Sequence, residues 1–383
     1  MAKRANAGSS GAGADAGAEA GGSSGGSKPR LTNVAVLGTG QMGMVCAAVL
    51  ASGEASRVDG PGMGRPANVS LWGHSSEEVG ELAQTRRSSR LEHFSLPAEV
   101  HVHLKAAAAL KDADLIVSAV PVQYIRSVWE KLAAHVPEHA AIVSVAKGVE
   151  VGTGLLPTRI MQDVLSKAGR DDPDGRPRRL AVLSGPTIAP ELARCLPATM
   201  IAASEDAELA RDIQRLFSTS WLRVYTHPDV LGVELAGAIK NVIAIAAGVI
   251  DGLGAGHNAK SALLARGLAE ITRLGVAMGA SQETFFGVAG VGDLATTCFS
   301  PQGRNRMCGE ALGRGQKLDA YLAMQPHVVE GVQTTRAVRE LARKYRVEMP
   351  IIDAAFAVLF EGVDAIEAIG KLMSREPKAE RVG

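Results

Sequence analysis

Aromatic residues make up only 4% of the 383-residue chain, too few for the stacking platforms on which single-stranded nucleic acids are held. Charge of one sign is not in excess either: 41 Lys and Arg against 40 Asp and Glu leave +1. That balance speaks against the broad basic field of a nucleic-acid or anionic-membrane binder. Cysteine is scarce. Cys46, Cys195, Cys298 and Cys308 stand without any C-x-x-C spacing, so neither structural zinc nor a disulfide framework is expected, and a reduced, intracellular compartment is. Residues 1–30 lack the apolar core of a secretory signal, and a stretch with few basic residues, interrupted by Asp15 and Glu19, does not fit an Arg-rich, acid-poor transit peptide. Their Gly/Ala/Ser composition reads as a disordered tail. The expected location is cytoplasmic, with the plastid stroma as the alternative if the tail belongs to a targeting segment.

What is present begins after the tail. Asn33-Val-Ala-Val-Leu37 is a short apolar run, followed at once by Gly38-Thr-Gly40-Gln-Met-Gly43 and a helical stretch at 44–50. A lone G-x-G-x-x-G arises by chance in a chain with 43 glycines; between a strand and a helix it acquires a mechanism. Gly38 permits the tight turn, Gly40 lets a pyrophosphate approach the backbone, and Gly43 allows close helix–strand packing. The anion then rests on the helix N-terminus. Further runs at 69–72, 99–104, 114–120, 141–145 and 180–184 read as buried parallel strands alternating with helices. A Pro/Gly-rich insertion at 53–68 reads as a surface loop. From about residue 227 onward helical periodicity takes over.

The expected fold is therefore α/β: a tail at 1–30, a Rossmann-type doubly wound, mostly parallel sheet over 31–226, an all-α C-terminal domain over 227–375, and a tail at 376–383. At the end of the second strand, where NAD-selective sites carry Asp or Glu, the chain has Trp72-Gly73-His74-Ser75. No carboxylate there repels a 2′-phosphate, so NAD and NADP both stay open as cofactors.

The stretch 231–250 has the length of a membrane span, but Glu234 and Lys240 inside it make a bilayer expensive. It reads as the central helix of a large core, and no membrane span is expected. A buried ammonium must be paired or lose its proton easily. Taken alone, such a lysine more often snorkels out. Other residues change the balance. Lys147 follows the fifth run, and Gly185-Pro186-Thr187 follows the sixth, both at strand ends where ligands bind. Asp293, in a Gly-rich turn, is either a cap or the partner of Lys240. Arg304-Asn305 after Gly303 reads as a helix start suited to gripping a phosphate.

In order along the chain stand Gly38-x-Gly40-x-x-Gly43, the Ala-Val-Pro121 loop, Ala146-Lys147-Gly148, Ser184-Gly-Pro-Thr-Ile-Ala189, Glu234-Leu-Ala-Gly-Ala-Ile-Lys240-Asn241, Gly292-Asp293-Leu294, Arg304-Asn305-Arg306 and Val329-Glu330-Gly331. This series resembles the NAD(P)-dependent glycerol-3-phosphate dehydrogenases of the bacterial and plastid type, over roughly residues 31–373. The resemblance implies reversible reduction of dihydroxyacetone phosphate to glycerol 3-phosphate, which feeds phospholipid synthesis, with NADH or NADPH. It implies Lys240 as the proton donor and acceptor, and Lys147 as a contact to both substrate and cofactor. Gly185, Thr187, Asp293, Gly303, Arg304 and Asn305 would contact the substrate alongside Lys147 and Lys240. Gly38, Gly40, Gln41, Met42, Gly43, His74, Lys147, Ala189, Arg304 and Glu330 would contact the cofactor.

Two departures stand out. The family usually has Ser where this chain has Gly303, so a hydroxyl is lost and the backbone N–H must serve. The 53–68 insertion lengthens the link to the second strand. The alternatives are a Rossmann-type hydroxy-acid dehydrogenase and a non-catalytic dinucleotide-binding regulator, the latter having no need of Lys147, Lys240 and Asp293 together. A homodimer is the default assembly.

Overall fold

The computed structural model describes residues 31–52, 66–170, 178–325, 327–377 and 379–380. The expected tail at 1–30, positions 53–65 of the expected loop, and residues 378 and 381–383 of the expected C-terminal tail lie outside the described residues.

Eight strands form one sheet: β1 Asn33–Leu37, β2 Asn68–Trp72, β3 Val100–His103, β4 Leu115–Ser118, β5 Ala141–Ser144, β6 Leu180–Ser184, β7 Ala198–Ala203 and β8 Leu222–His227. Their order is β3-β2-β1-β4-β5-β6-β7-β8, so the chain reverses direction across the sheet between β1 and β4. In such open α/β sheets, ligands bind outside the strands' carboxyl ends near that point. The central strands β1, β4, β5 and β6 read as mostly apolar runs because both faces are covered. Val34 and Val36 of β1 enter one core with the helices Gln41–Ala51 and Ala207–Phe217. Ala35 and Leu37 enter the other, with Val122–Leu132 and Pro157–Lys167.

Two strands escape that pattern and were not expected. β7 runs antiparallel to β6, and β8 closes the edge with Arg223 and Tyr225 facing out. A strand with one wet face alternates instead of reading as a continuous run. A smaller correction concerns Asn68, which opens β2 instead of ending the insertion.

Beyond β8 every element is helical. The helix Val230–Gly252 is the one among the described residues with the length and apolar content to cross a bilayer, and its apolar window is 94% buried inside the fold. Around it pack Gly256–Ala277, Arg304–Gly313, Glu330–Tyr345 and Pro350–Phe360. Its contact with Arg304–Gly313 is backbone against backbone. A Cβ placed on Gly248 would stand 1.9 Å from Arg306 O, and one on Gly309 1.9 Å from Ile245 O. Gly252 and Gly313, one turn further on each helix, are crowded in the same way. Gly309→Ala is accordingly expected to destabilise the fold by about 1–3 kcal/mol, the usual cost of overpacking. A denaturant midpoint equal to that of the unsubstituted chain would contradict this contact.

Candidate active site

The Gly-rich turn has the shape a dinucleotide needs. Gly38 has φ of +123°, and a Cβ there would press 2.8 Å from Ala119 O at the end of β4. A Cβ on Gly43 would meet Gly38 O at 1.9 Å, which is why the helix can lie so close to the turn. Gly40 is different: nothing stands within 4 Å of a Cβ placed there, so the space above it is open. It caps the helix Gln41–Ala51 without a side-chain hydrogen bond, leaving the positive helix end to an anion. These features fit a dinucleotide pyrophosphate. Gln41 turns its amide to Arg90 O at 2.6 Å, and Met42 packs against the sheet core. His74 is exposed after β2, three strands from the end of β5, or about 14 Å at normal strand spacing. His74 and Lys147 thus stand along the same carboxyl edge of the sheet.

At the Lys147 end of that edge two lysines meet one carboxylate. Lys147, on the loop after β5, donates to Asp293 Oδ2 at 2.7 Å and to Gly185 O at 2.9 Å, and lies 3.5 Å from Thr187 Oγ1. Lys240, on the central helix, donates to Asp293 Oδ1 at 2.6 Å and to Thr297 Oγ1 at 2.5 Å. Asp293 is 1% exposed and Lys240 6%. Burial lowers the Lys240 pKa from 10.5 to about 8; Asp293 opposes the shift, and the neighbouring Lys147 adds to it. An amine that exchanges its proton near neutrality is the outcome. Asp293 itself follows a π-helical segment, Val288–Gly292, a distortion of the sort found where a helix must re-aim a functional side chain.

Asn305, Arg304 and Glu330 stand in the helical part of the chain. Asn305, buried at the start of Arg304–Gly313, accepts the amide of Gly331 at 2.9 Å. Arg304 is exposed, anchored to Val328 O at 3.2 Å. Burial raises the carboxyl pKa of Glu330, opposed by the nearby Arg304, Lys147 and Lys240. Ala189 opens the short helix Ala189–Leu192 behind the Gly185–Thr187 loop. The expectation for Gly303 needs correcting: its N–H already donates to Ser300 O at 3.3 Å, which closes a turn, so this amide is not an open replacement for a hydroxyl.

Thr297 received no role from the sequence. It lies one helical turn after Asp293, accepting from Lys240 and donating to Asp293 O at 2.7 Å. Its spacing of four from Asp293 was the available signal.

The profile of the NAD-dependent glycerol-3-phosphate dehydrogenase N-terminus matches residues 33–210, and that of the C-terminus matches residues 229–370. The chain belongs to the NAD-dependent glycerol-3-phosphate dehydrogenase family. A glycerol-3-phosphate dehydrogenase [NAD(P)+] of Prosthecochloris aestuarii is 41% identical over 348 residues, which covers 91% of this chain and 99% of that protein. Another, from Geobacillus kaustophilus, is 43% identical and covers 91% of this chain and 96% of its own length. In three dimensions the chain is similar to the glycerol-3-phosphate dehydrogenase of Coxiella burnetii, with a TM-score of 0.81, 32% identity, and coverage of 91% of this chain and 100% of that one.

Proposed function

We propose that this chain reversibly reduces dihydroxyacetone phosphate to sn-glycerol 3-phosphate with NADH or NADPH, supplying the glycerol backbone of phospholipids. The observation that carries the reading is the Lys147–Asp293–Lys240 cluster at the carboxyl edge of a dinucleotide-binding sheet. In this reading the nucleotide is held mainly by 31–226, and 227–375 supplies Lys240, Asp293, Arg304 and Asn305 to a substrate that Lys147, Gly185 and Thr187 also border.

The nicotinamide, when bound, supplies the hydride or takes it up. Lys240 gives a proton to the oxygen that becomes the alcohol, and takes it back in the reverse direction. Lys147 adds positive charge beside that oxygen while it is negative. Asp293 holds both ammonium groups at fixed positions, and Thr297 fixes the Lys240 rotamer from the other side. Arg304, Asn305 and the first turn of their helix grip the phosphate, with Gly303 shaping that turn. Gly185 and Thr187 border the substrate, and Ala189 the cofactor. Gly38, Gly40, Gln41, Met42 and Gly43 take the pyrophosphate, His74 the adenosine end, and Glu330 the nicotinamide end. The absence of a carboxylate after β2 supports use of both cofactors. A cytoplasmic location is supported by the scattered cysteines, and a homodimer is the assembly we adopt.

In an initial-rate assay at 340 nm, NADH or NADPH is expected to be oxidised only after dihydroxyacetone phosphate is added. No turnover with either cofactor would sink the reading.

A further inference from the structure

Glu234 lies on the central helix, 4% exposed, six residues before Lys240. At the rise of an α-helix, that is about 9 Å along the axis. Its carboxylate reaches across to the sheet side of the molecule. Oε1 accepts the Thr158 amide at 2.9 Å, and Oε2 accepts the Thr158 hydroxyl at 2.6 Å. Thr158 stands in the first turn of Pro157–Lys167, a helix whose own cap position, Leu156, provides no side-chain acceptor. Pro157 has no N–H, so Thr158 carries the first amide that needs one. The missing cap thus comes from a distant helix.

A carboxylate buried this deeply is expensive, and an apolar pair would stabilise a domain contact at least as well. The position of Thr158 suggests what the expense achieves. The connection from β5 to Pro157–Lys167 carries Lys147 as its third residue, and Thr158 is the second residue of the helix it leads into. Along it, Arg126 grips Glu150 at 3.0 and 2.9 Å, and Gln123 holds Val149 O at 2.8 Å. One turn beyond Glu234 on the same helix, Gly237 lies against the opposite end of that connection. A Cβ there would stand 3.4 Å from Lys147 Cγ and 3.2 Å from Ser184 Oγ. The central helix therefore touches the Lys147 loop at its start through Gly237 and at its end through Glu234.

From this arrangement we propose that Glu234 is a positioning residue, a latch that sets the axial register of the central helix against the loop bearing Lys147, and so brings both lysines onto Asp293. The proposal rests on the reading of Lys240 as proton donor and adds a residue that touches neither ligand.

The test compares Glu234→Leu, Glu234→Gln and Thr158→Val with the unsubstituted full chain. Glu234→Leu removes both acceptors without leaving a large void and is expected to lower kcat roughly 10- to 100-fold, the scale of a misplaced catalytic group. The Kd for NADH, read by fluorescence, should change much less than kcat, because the Gly-rich turn lies elsewhere and Lys147 is only one of several cofactor contacts. Glu234→Gln keeps an acceptor for the amide and offers a donor to the hydroxyl, so it should stay within about threefold of the unsubstituted kcat. Thr158→Val keeps the amide bond only and should fall between them; it decides the matter if Glu234→Leu does not fold.

Hydrogen exchange read by mass spectrometry provides a measure that needs no turnover: loss of the latch should speed exchange in 148–158 and 234–241 together. A folded Glu234→Leu or Thr158→Val with full kcat and unchanged exchange would overturn the latch, as would an equal loss in Glu234→Gln. If the unsubstituted chain fails to turn over, the reaction is wrong, and the exchange result still decides the latch.

Discussion

Replacing Lys240 by alanine is expected to lower turnover by about two to four orders of magnitude, the usual contribution of a general acid, while NADH and NADPH bind nearly as before. Lys240 is the buried member of the lysine pair, with its ammonium fixed by Asp293 Oδ1 and Thr297 Oγ1. Its pKa of about 8 gives the pH dependence a sign. Reduction of the ketone needs the protonated amine, so its rate should fall as pH rises through about 8. Oxidation of glycerol 3-phosphate needs the neutral amine, and its rate should rise through the same range. Stopped-flow single turnovers across pH 6 to 10, with hydride transfer followed directly, would check both arms. Full turnover in Lys240→Ala, or an unchanged inflection, would remove the role given to this residue.

Asp293→Asn should be nearly as damaging, and through stability as well. It leaves two ammonium groups facing one neutral amide at a position 1% exposed. Removing one partner of a buried ion pair costs about 3–5 kcal/mol, because the remaining charge is uncompensated. The sign of the pH effect follows from the Lys240 amine. Without its counter-charge, its folded pKa drops further below the unfolded 10.5. The penalty is then complete below the new folded value and fades as pH rises toward 10.5. Thermal melts should show the variant far below the unsubstituted chain at pH 7 and closer to it at pH 9.5. Reduction near neutrality should be lost too, since Lys240 would no longer hold its proton. Equal melting temperatures at pH 7 would mean that the cluster is not held by charge.

Much of this arrangement was legible in the chain. The Gly-rich turn could be placed because its flanks, an apolar run and a helical stretch, give glycine spacing a meaning. The buried strands could be read because two covered faces leave no polar alternation. β8 was missed for the converse reason: Arg223 and Tyr225 look outward, so the strand carries the half-apolar pattern of an edge. Asp293 could be named as a candidate partner, yet 53 residues separate it from Lys240 and 146 from Lys147. Only folding brings them within hydrogen-bond reach. The part played by Thr297 was hidden because it depends on a side chain arriving from another helix. Glu234 could be read only as a charge hostile to a bilayer, since its partner lies 76 residues earlier, at the start of a helix with no cap of its own.

The helix bearing Lys240 and the helix opened by Arg304 and Asn305 approach backbone to backbone at Gly248, Gly252, Gly309 and Gly313. Most helix pairs drift over evolutionary time by exchanging one side chain for another of slightly different bulk, so that their separation changes in small steps. At the four glycines there is no bulk to exchange. Any substitution at these four positions begins with a methyl group driven into a neighbouring backbone, and no smaller change is available. The spacing of the helix that carries Lys240 from the helix that carries Arg304 and Asn305 is thus a frozen dimension of the protein, and variation in the site is expected to come from the loops at the sheet's carboxyl edge.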